Sequence, residues 1–269
     1  YDSTRYGEPL WLRGNNRFRP DEPDVGNANV GRMQHSCTKR VRLFPARPFF
    51  VLPFLEVLFM KVLPQQLRLY AVTDRTWLNG RRLADVVAQA IDGGATFVQL
   101  REKCLDEHDL LAEAEELSAL CHFRHVPFVI DDNVEVALAA GADGVHVGQS
   151  DMAAKRARAL LGPDKILGVS AHNAAEALAA QADGADYLGC GAAFVTGTKL
   201  DAHPVTAETM HAVTAAVNIP VVAIGGIDAA NLLQLQGRGL AGVAVVSAIF
   251  AQAAPCAASR ELYRLAGQL

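Results

Sequence analysis

The chain has 269 residues, of which 51% are hydrophobic and 20% charged, and its formal net charge is −4. This is ordinary globular composition with ample material for a large core, and the acidic balance argues against general nucleic-acid binding while leaving room for anionic small molecules held by a few local cations. Five scattered cysteines, Cys37, Cys104, Cys121, Cys190 and Cys256, show no C-x-x-C spacing. They read as reduced thiols of a cytoplasmic protein, not as a disulfide framework or a zinc site.

The two ends of the chain differ in kind. Seven of the twelve prolines lie at or before Pro64, and residues 1–64 carry ten Lys/Arg against six Asp/Glu. The stretch around Arg13, Asn15, Arg17 and Pro20 has no sustained helical or strand period and reads as loop or disorder. The apolar run from Phe49 to Met60 is broken by Pro53 and Glu56 and is too short to span a membrane. It also lies some fifty residues into the chain, where a signal peptide does not belong. Residues 1–66 are therefore expected to be an extension, either non-catalytic or derived from an expression vector. Leu55-Glu56-Val57-Leu58-Phe59 resembles the start of a viral protease cleavage sequence, and Met60 is a plausible natural start.

From residue 67 onward short apolar runs alternate with Ala/Leu-rich helical stretches. Strands are predicted at 67–73, 97–102, 127–131, 144–147, 166–170, 187–191, 221–224 and 243–247. Helices are predicted near 82–92, 109–124, 134–140, 152–161, 174–181, 207–217, 229–236 and 257–266. Eight strand–helix pairs in about 200 residues match the smallest usual (β/α)8 barrel, an α/β TIM barrel over 67–269. An open doubly wound sheet shares the alternation, so the count alone leaves both. An internal echo favours closure: Gly94-Ala95-Thr96, Gly141-Ala142-Asp143, Gly184-Ala185-Asp186 and Leu240-Ala241-Gly242 introduce the even-numbered strands. The plainer reading, that glycine ends the preceding helix, also holds.

Barrel chemistry sits at the C-terminal ends of the strands, and polar residues collect there. Alternation in Gln99-Leu100-Arg101-Glu102-Lys103 sends Gln99, Arg101 and Lys103 inward, leaving Leu100 and Glu102 outside. Two cations converging on one strand end suit a phosphate or pyrophosphate; an internal salt-bridge layer is the alternative. Asp131 and Asp132 close the third strand, and Gly148-Gln149-Ser150-Asp151 follows the fourth. Asp132 and Asp151, oxygen-only ligands from adjacent strand ends, suit Mg²⁺ bound together with substrate phosphates. Asp151 is also placed to cap the following helix. His146 alone reads as a packed core or rim histidine. Ser170 ends the fifth strand, and Thr196-Gly197-Thr198-Lys199 follows the sixth. Gly225-Gly226 and Val246-Ser247 end the seventh and eighth, where backbone amides of this fold commonly hold a phosphate.

Those seven motifs stand in the order seen in thiamine phosphate synthases, and over residues 67–250 the chain resembles that family. The resemblance implies a transferase of thiamine biosynthesis that condenses hydroxymethylpyrimidine pyrophosphate with thiazole phosphate and releases pyrophosphate. It implies that Gln99, Arg101, Lys103, Asp131, Ser170 and Lys199 hold the pyrimidine pyrophosphate, with Arg101, Lys103, Ser170 and Lys199 catalytic. It implies that Asp132 and Asp151 bind Mg²⁺, and that Thr196, Thr198, Gly226, Val246 and Ser247 hold the thiazole phosphate. The implied partners are these two small molecules, with no nucleic acid and no membrane, and a homo-oligomer is compatible. Asp131 stands where the family usually has Asn, and Ala192 and Val195 stand where prolines are usual, which is expected to loosen the loop after the sixth strand. A thiazole tautomerase of the same fold, another phosphate-binding barrel isomerase and a non-catalytic precursor sensor are the alternatives; the complete set of charges weighs against them. A chain beginning at Met60 is expected to fold and keep full turnover, measured by circular dichroism and product formation, because every motif lies beyond it; loss of soluble protein would show that the extension matters.

Overall fold

The computed structural model describes residues 60–149, 152–195 and 204–269. Eight parallel strands, β1 (Leu69–Val72), β2 (Phe97–Leu100), β3 (Phe128–Asp131), β4 (Gly144–Val147), β5 (Ile166–Ala171), β6 (Tyr187–Gly191), β7 (Val221–Ile224) and β8 (Gly242–Val245), follow one another around a ring. Each pairs with its sequence neighbours, and β1 pairs with β8 through Leu69–Val243 and Ala71–Val245, so the sheet is a closed barrel and not an open one. Helices α1 (Leu83–Asp92), α2 (Glu107–Phe123), α3 (Val134–Ala139), α4 (Ala154–Leu161), α5 (Ala174–Ala182) and α6 (Ala207–Ala216) follow the first six strands. A 3₁₀ turn, Leu232–Leu235, follows β7, and α7 (Ser247–Phe250) and α8 (Pro255–Ala266) follow β8.

Period-two alternation sorts the strand residues into two cores. Leu69, Ala71, Val98, Leu100, Phe128, Ile130, Val145 and Val147 pack outward against the helices. Tyr70, Val72, Phe97, Val129, Tyr187 and Val222 fill the barrel interior, joined from below by Val62 and Leu67. Burying each large apolar side chain contributes roughly 1.5–3 kcal/mol, and both layers are needed to hold a parallel sheet covered on both faces.

The recurrent Gly-Ala element has a physical account. After α1, α3 and α5, Gly94, Gly141 and Gly184 adopt φ of +112°, +67° and +97°. The next amide reaches back into the helix, as in Ala95 N–H to Ala90 O, Ala142 to Ala137 and Ala185 to Ala180, each 2.9 Å. Glycine is favoured there because other residues rarely take a left-handed helix end. The residue that follows then clamps the start of the preceding strand. Thr96 Oγ1 accepts from Leu69 N–H at 3.0 Å, Asp143 Oδ2 from Phe128 N–H at 2.8 Å, and Asp186 Oδ2 from Leu167 N–H at 2.8 Å. Helix termination and repeated barrel geometry are thus the same feature.

Two expected helices are corrected and one short helix is added. The helix expected over 229–236 is only the 3₁₀ turn, because Asp228 and Asn231 spend their side chains on local turns and Gly237 and Gly239 have φ of +71° and +74°. The short α7 was not expected; it begins directly at Ser247, with Phe250 N–H bonded to Val246 O. Helix α4 starts at Ala154 with Ala153 as its N-cap, two residues later than expected; Asp151, read as a cap, lies outside the described residues.

The clamp is testable through Asp143→Ala. Phe128 is fully buried, and stranding its amide is expected to cost roughly 1–3 kcal/mol. At roughly 2–4 °C per kcal/mol for a domain of this size, thermal unfolding should fall measurably with secondary structure retained. An unchanged melting temperature would mean that the clamp contributes nothing.

Candidate active site

Inside the barrel, five polar side chains from five strands form one hydrogen-bonded chain. Gln99 Nε2 donates to Tyr70 Oη at 2.7 Å, and Tyr70 Oη lies 2.8 Å from Tyr187 Oη. Tyr187 Oη lies 3.0 Å from His146 Nδ1, and His146 Nε2 lies 3.0 Å from Ser170 Oγ. Tyr70, Phe97 and Tyr187 pack edge to face, with ring centroids 4.7 Å, 5.9 Å and 5.5 Å apart. Space for Tyr187 and His146 comes from Gly168, where a Cβ would meet Tyr187 Oη at 2.3 Å and His146 Nδ1 at 2.5 Å. Burial first, then their mutual proximity and Asp131, pushes the Tyr70 phenol well above its ordinary range. Burial does the same to Tyr187, so both hydroxyls keep their protons.

Above this floor the charged residues converge. Arg101 Nε lies 3.6 Å from Asp131 Oδ2, and Lys103 Nζ lies 3.2 Å from Asp131 Oδ2 and 2.6 Å from Asp132 Oδ2. As expected, Gln99, Arg101 and Lys103 share the inner face, while Leu100 packs outward and Glu102 meets Arg75 at 2.6 Å. Thr73 holds the end of β2 in place, accepting from Arg101 N–H at 3.0 Å and donating its own N–H to Gln99 O at 3.0 Å. Burial, and then the neighbouring Asp132 carboxylate, raises Asp131 to about 6 against the pull of Lys103 and Arg101. Asp132 itself adopts φ +61°, an uncommon left-handed conformation for a residue with a side chain.

On the opposite rim, Gln149 Nε2 donates to Ser170 O at 2.6 Å. The chain leaving β6 is tied to β7: Ala193 N–H bonds Ile224 O at 2.8 Å and Phe194 N–H bonds Gly225 O at 3.0 Å. The stretch around Ala192 is therefore held by backbone bonds without the proline usual there. Gly225 and Gly226 have φ of +98° and +64°, and a Cβ on Gly226 would meet Val195 O at 2.5 Å. Asn231 Nδ2 occupies the Gly226 carbonyl at 2.7 Å. Gly226, Val246 and Ser247 thus lie at the neighbouring ends of β7 and β8. Ser150, Asp151, Thr196, Thr198 and Lys199 lie outside the described residues.

Tyr70, Thr73, Tyr187 and Asn231, and the bonded role of His146, were not singled out in the sequence. Applying to β1 and β6 the alternation used for β2 would have found both tyrosines. The Thr73 and Asn231 contacts have no sequence signal, since each reaches a backbone atom of a loop end. A cluster of Asp106, His108 and Asp109 could group around a cation, but Asp106 is spent capping α2, accepting from Asp109 N–H at 2.9 Å.

A family model described as thiamine monophosphate synthase matches residues 69–249. The chain belongs to the thiamine monophosphate synthase family. It is 50% identical over 184 residues to a thiamine-phosphate synthase of Ruminiclostridium cellulolyticum, covering 68% of this chain and 88% of that one. A thiamine-phosphate synthase of Chloroflexus aurantiacus is 50% identical over 199 residues, covering 74% of this chain and 92% of that one. Among solved structures, thiamine phosphate pyrophosphorylase from Pyrococcus furiosus superposes with a TM-score of 0.71 at 36% identity, covering 77% of this chain and 98% of that one. The family match spans every described element of the mouth, from β1 to Ser247.

The raised Asp131 carboxyl places a titratable group in the mouth. Its folded pKa, about 6, lies above the roughly 3.9 of an unfolded aspartate. A raised carboxylate favours the fold fully below about pH 4, and that contribution is lost as pH rises through about 6. In metal-free buffer, wild-type protein should therefore lose roughly 1–3 kcal/mol relative to Asp131→Asn between pH 4 and about 6.5. Parallel thermal melts of the two proteins across that range check it; identical profiles would show that Asp131 titrates normally.

Proposed function

We infer that this chain acts as a thiamine-phosphate synthase, a transferase joining hydroxymethylpyrimidine pyrophosphate to thiazole phosphate with release of pyrophosphate. The observation that carries the reading is the convergence of Arg101 and Lys103 on the ends of β2 and β3, above the Gln99–Ser170 floor, in a chain half identical to named synthases. Arg101 and Lys103 would receive the pyrophosphate and stabilise the charge it gains on departure, with Lys199 joining them from the loop after β6. Lys103 exchanges carboxylate partners for phosphate oxygens at little electrostatic cost, because both are anionic acceptors. Gln99, Asp131 and Ser170 would orient the pyrimidine. Thr196, Thr198, Gly226, Val246 and Ser247 would hold the thiazole phosphate.

The thiazole nitrogen is already a nucleophile, so the chain need supply no strong base. Burial pushes the Cys121 thiol up to about 12 and the Cys190 thiol to about 11, which removes both as nucleophiles. Asp132 and Asp151 are the residues that would hold Mg²⁺. The donor chemistry fits: the Asp132 carboxylate offers hard oxygen ligands and already draws an ammonium to 2.6 Å. When bound, Mg²⁺ would neutralise charge on the leaving pyrophosphate. No helix among the described residues is long and apolar enough to cross a membrane, and four free cysteines, Cys104, Cys121, Cys190 and Cys256, suit a reducing cytoplasm.

The test is formation of thiamine phosphate and pyrophosphate from the two purified substrates, with and without Mg²⁺. Asp132→Ala should lower turnover by roughly 100-fold or more while keeping its circular dichroism spectrum. Wild-type protein that released no pyrophosphate would overturn the synthase reading, and full activity of Asp132→Ala at limiting Mg²⁺ would overturn the metal site.

A further inference from the structure

Counting protons from the Gln99 amide gives the buried chain Gln99–Tyr70–Tyr187–His146–Ser170 a direction. Gln99 presents its amide nitrogen to Tyr70 Oη, so Tyr70 accepts there. A phenol carries one proton; either phenol could donate across the 2.8 Å contact between Tyr70 Oη and Tyr187 Oη, and with Gln99 donating to Tyr70 the Tyr70 proton has Tyr187 Oη as its acceptor. Tyr187, accepting from Tyr70, then has His146 Nδ1 at 3.0 Å as the acceptor for its own proton, which requires the Nε2-protonated tautomer. A neutral imidazole with Nδ1 accepting carries its proton on Nε2, and that N–H points to Ser170 Oγ. Ser170 Oγ therefore accepts from below, and its hydroxyl proton is left for the mouth of the barrel.

The opposite direction changes what a ligand meets. It would need the Gln99 amide turned over, Nδ1 protonated, and the Ser170 proton given to His146. Ser170 would then offer only lone pairs to an anionic substrate. The backbone supports a fixed Ser170: Gln149 Nε2 holds its carbonyl at 2.6 Å. Glycine at 168 keeps Tyr187 and His146 in contact, since a Cβ there would overlap both.

We propose that Tyr70, Tyr187 and His146 form a one-way relay whose polarity is set by Gln99 and which makes Ser170 a hydrogen-bond donor to the pyrimidine pyrophosphate. The three are positioning residues; they act through Ser170. At the other end, the Gln99 amide oxygen is left as an acceptor for an amine. One deep element thus presents an acceptor and a donor on opposite sides of the mouth, a match for an aminopyrimidine bearing an anionic group. This proposal rests on the synthase reading for its substrate, but not for the relay.

Two measurements on the full chain test it. In protein labelled with ¹⁵N-histidine, the His146 signals, assigned by their loss in His146→Gln, should show a neutral ring protonated at Nε2. A proton on Nδ1 would overturn the relay whatever the protein catalyses. Kinetically, Tyr187→Phe should lower kcat/KM for the pyrimidine pyrophosphate by roughly tenfold, with KM for thiazole phosphate within about twofold of wild type. Because Tyr187 acts through Ser170, the double variant Tyr187→Phe/Ser170→Ala should be no worse than Ser170→Ala alone, within about twofold. Additive losses would overturn the coupling. Absence of any thiamine phosphate from wild-type protein would instead bring down the synthase reading and the substrate end of the proposal, while the imidazole tautomer still decides the relay.

Discussion

Closing eight parallel strands leaves an interior that side chains must fill to near-crystalline density, and here three aromatic rings do most of that filling. Tyr70, Phe97 and Tyr187 stand in mutual edge-to-face contact. Gly168, beside Tyr187 on the neighbouring strand, leaves room for that ring, since a Cβ there would overlap it. Two of the rings bring hydroxyls into a dry interior, where an unpaired polar group is costly. Those hydroxyls must find partners, and the partners available are Gln99 and His146. The need to satisfy two buried phenols is thus what organises the floor of the mouth.

The charged layer depends on that floor. Arg101 and Lys103 extend from the strand that carries Gln99, and Asp131 and Asp132 from the neighbouring β3. Two cations and two carboxylates nearly cancel, which lets them share a half-buried mouth without a ligand. The balance is uneven, since Asp131 is the most enclosed of the four side chains at 12% exposure and holds its proton into the range of pH 6. A phosphate-bearing ligand can compete for the cations because it offers the same kind of acceptor. On the opposite rim the backbone at Gly225 and Gly226 takes positive φ, and the Asn231 side chain holds the Gly226 carbonyl.

The sequence was most informative where a chemical pattern coincided with a strand period. The inward set Gln99, Arg101 and Lys103 was legible because two cations and an amide on alternate positions of one strand demand an anion or a counter-charge at its end. The eight strands were legible because each is an apolar run set off by a helix-ending glycine or a proline. Legibility ended where side chains serve local backbone. Asp228 and Asn231 turn an apparent helix into a 3₁₀ turn, and α4 starts after Ala153, which has no capping side chain to mark it.

By itself, then, the sequence determined the alternation of elements, the face on which each strand residue lies and the order of the motifs, because these follow from periods of 2 and 3.6 and from backbone restrictions at glycine and proline. The count of elements alone fitted an open sheet as well; the repeated Gly-Ala element favoured a closed barrel, and the pairing of β1 with β8 bears it out. The sequence could not join residues brought together by closure. Tyr70 and Tyr187 lie 117 positions apart and meet at 2.8 Å, because opposite walls of a narrow barrel bring long side chains to the same axis. The direction of hydrogen bonds along that axis is a property of the assembled interior, since each group's role as donor or acceptor is set by the neighbour that the tertiary structure provides.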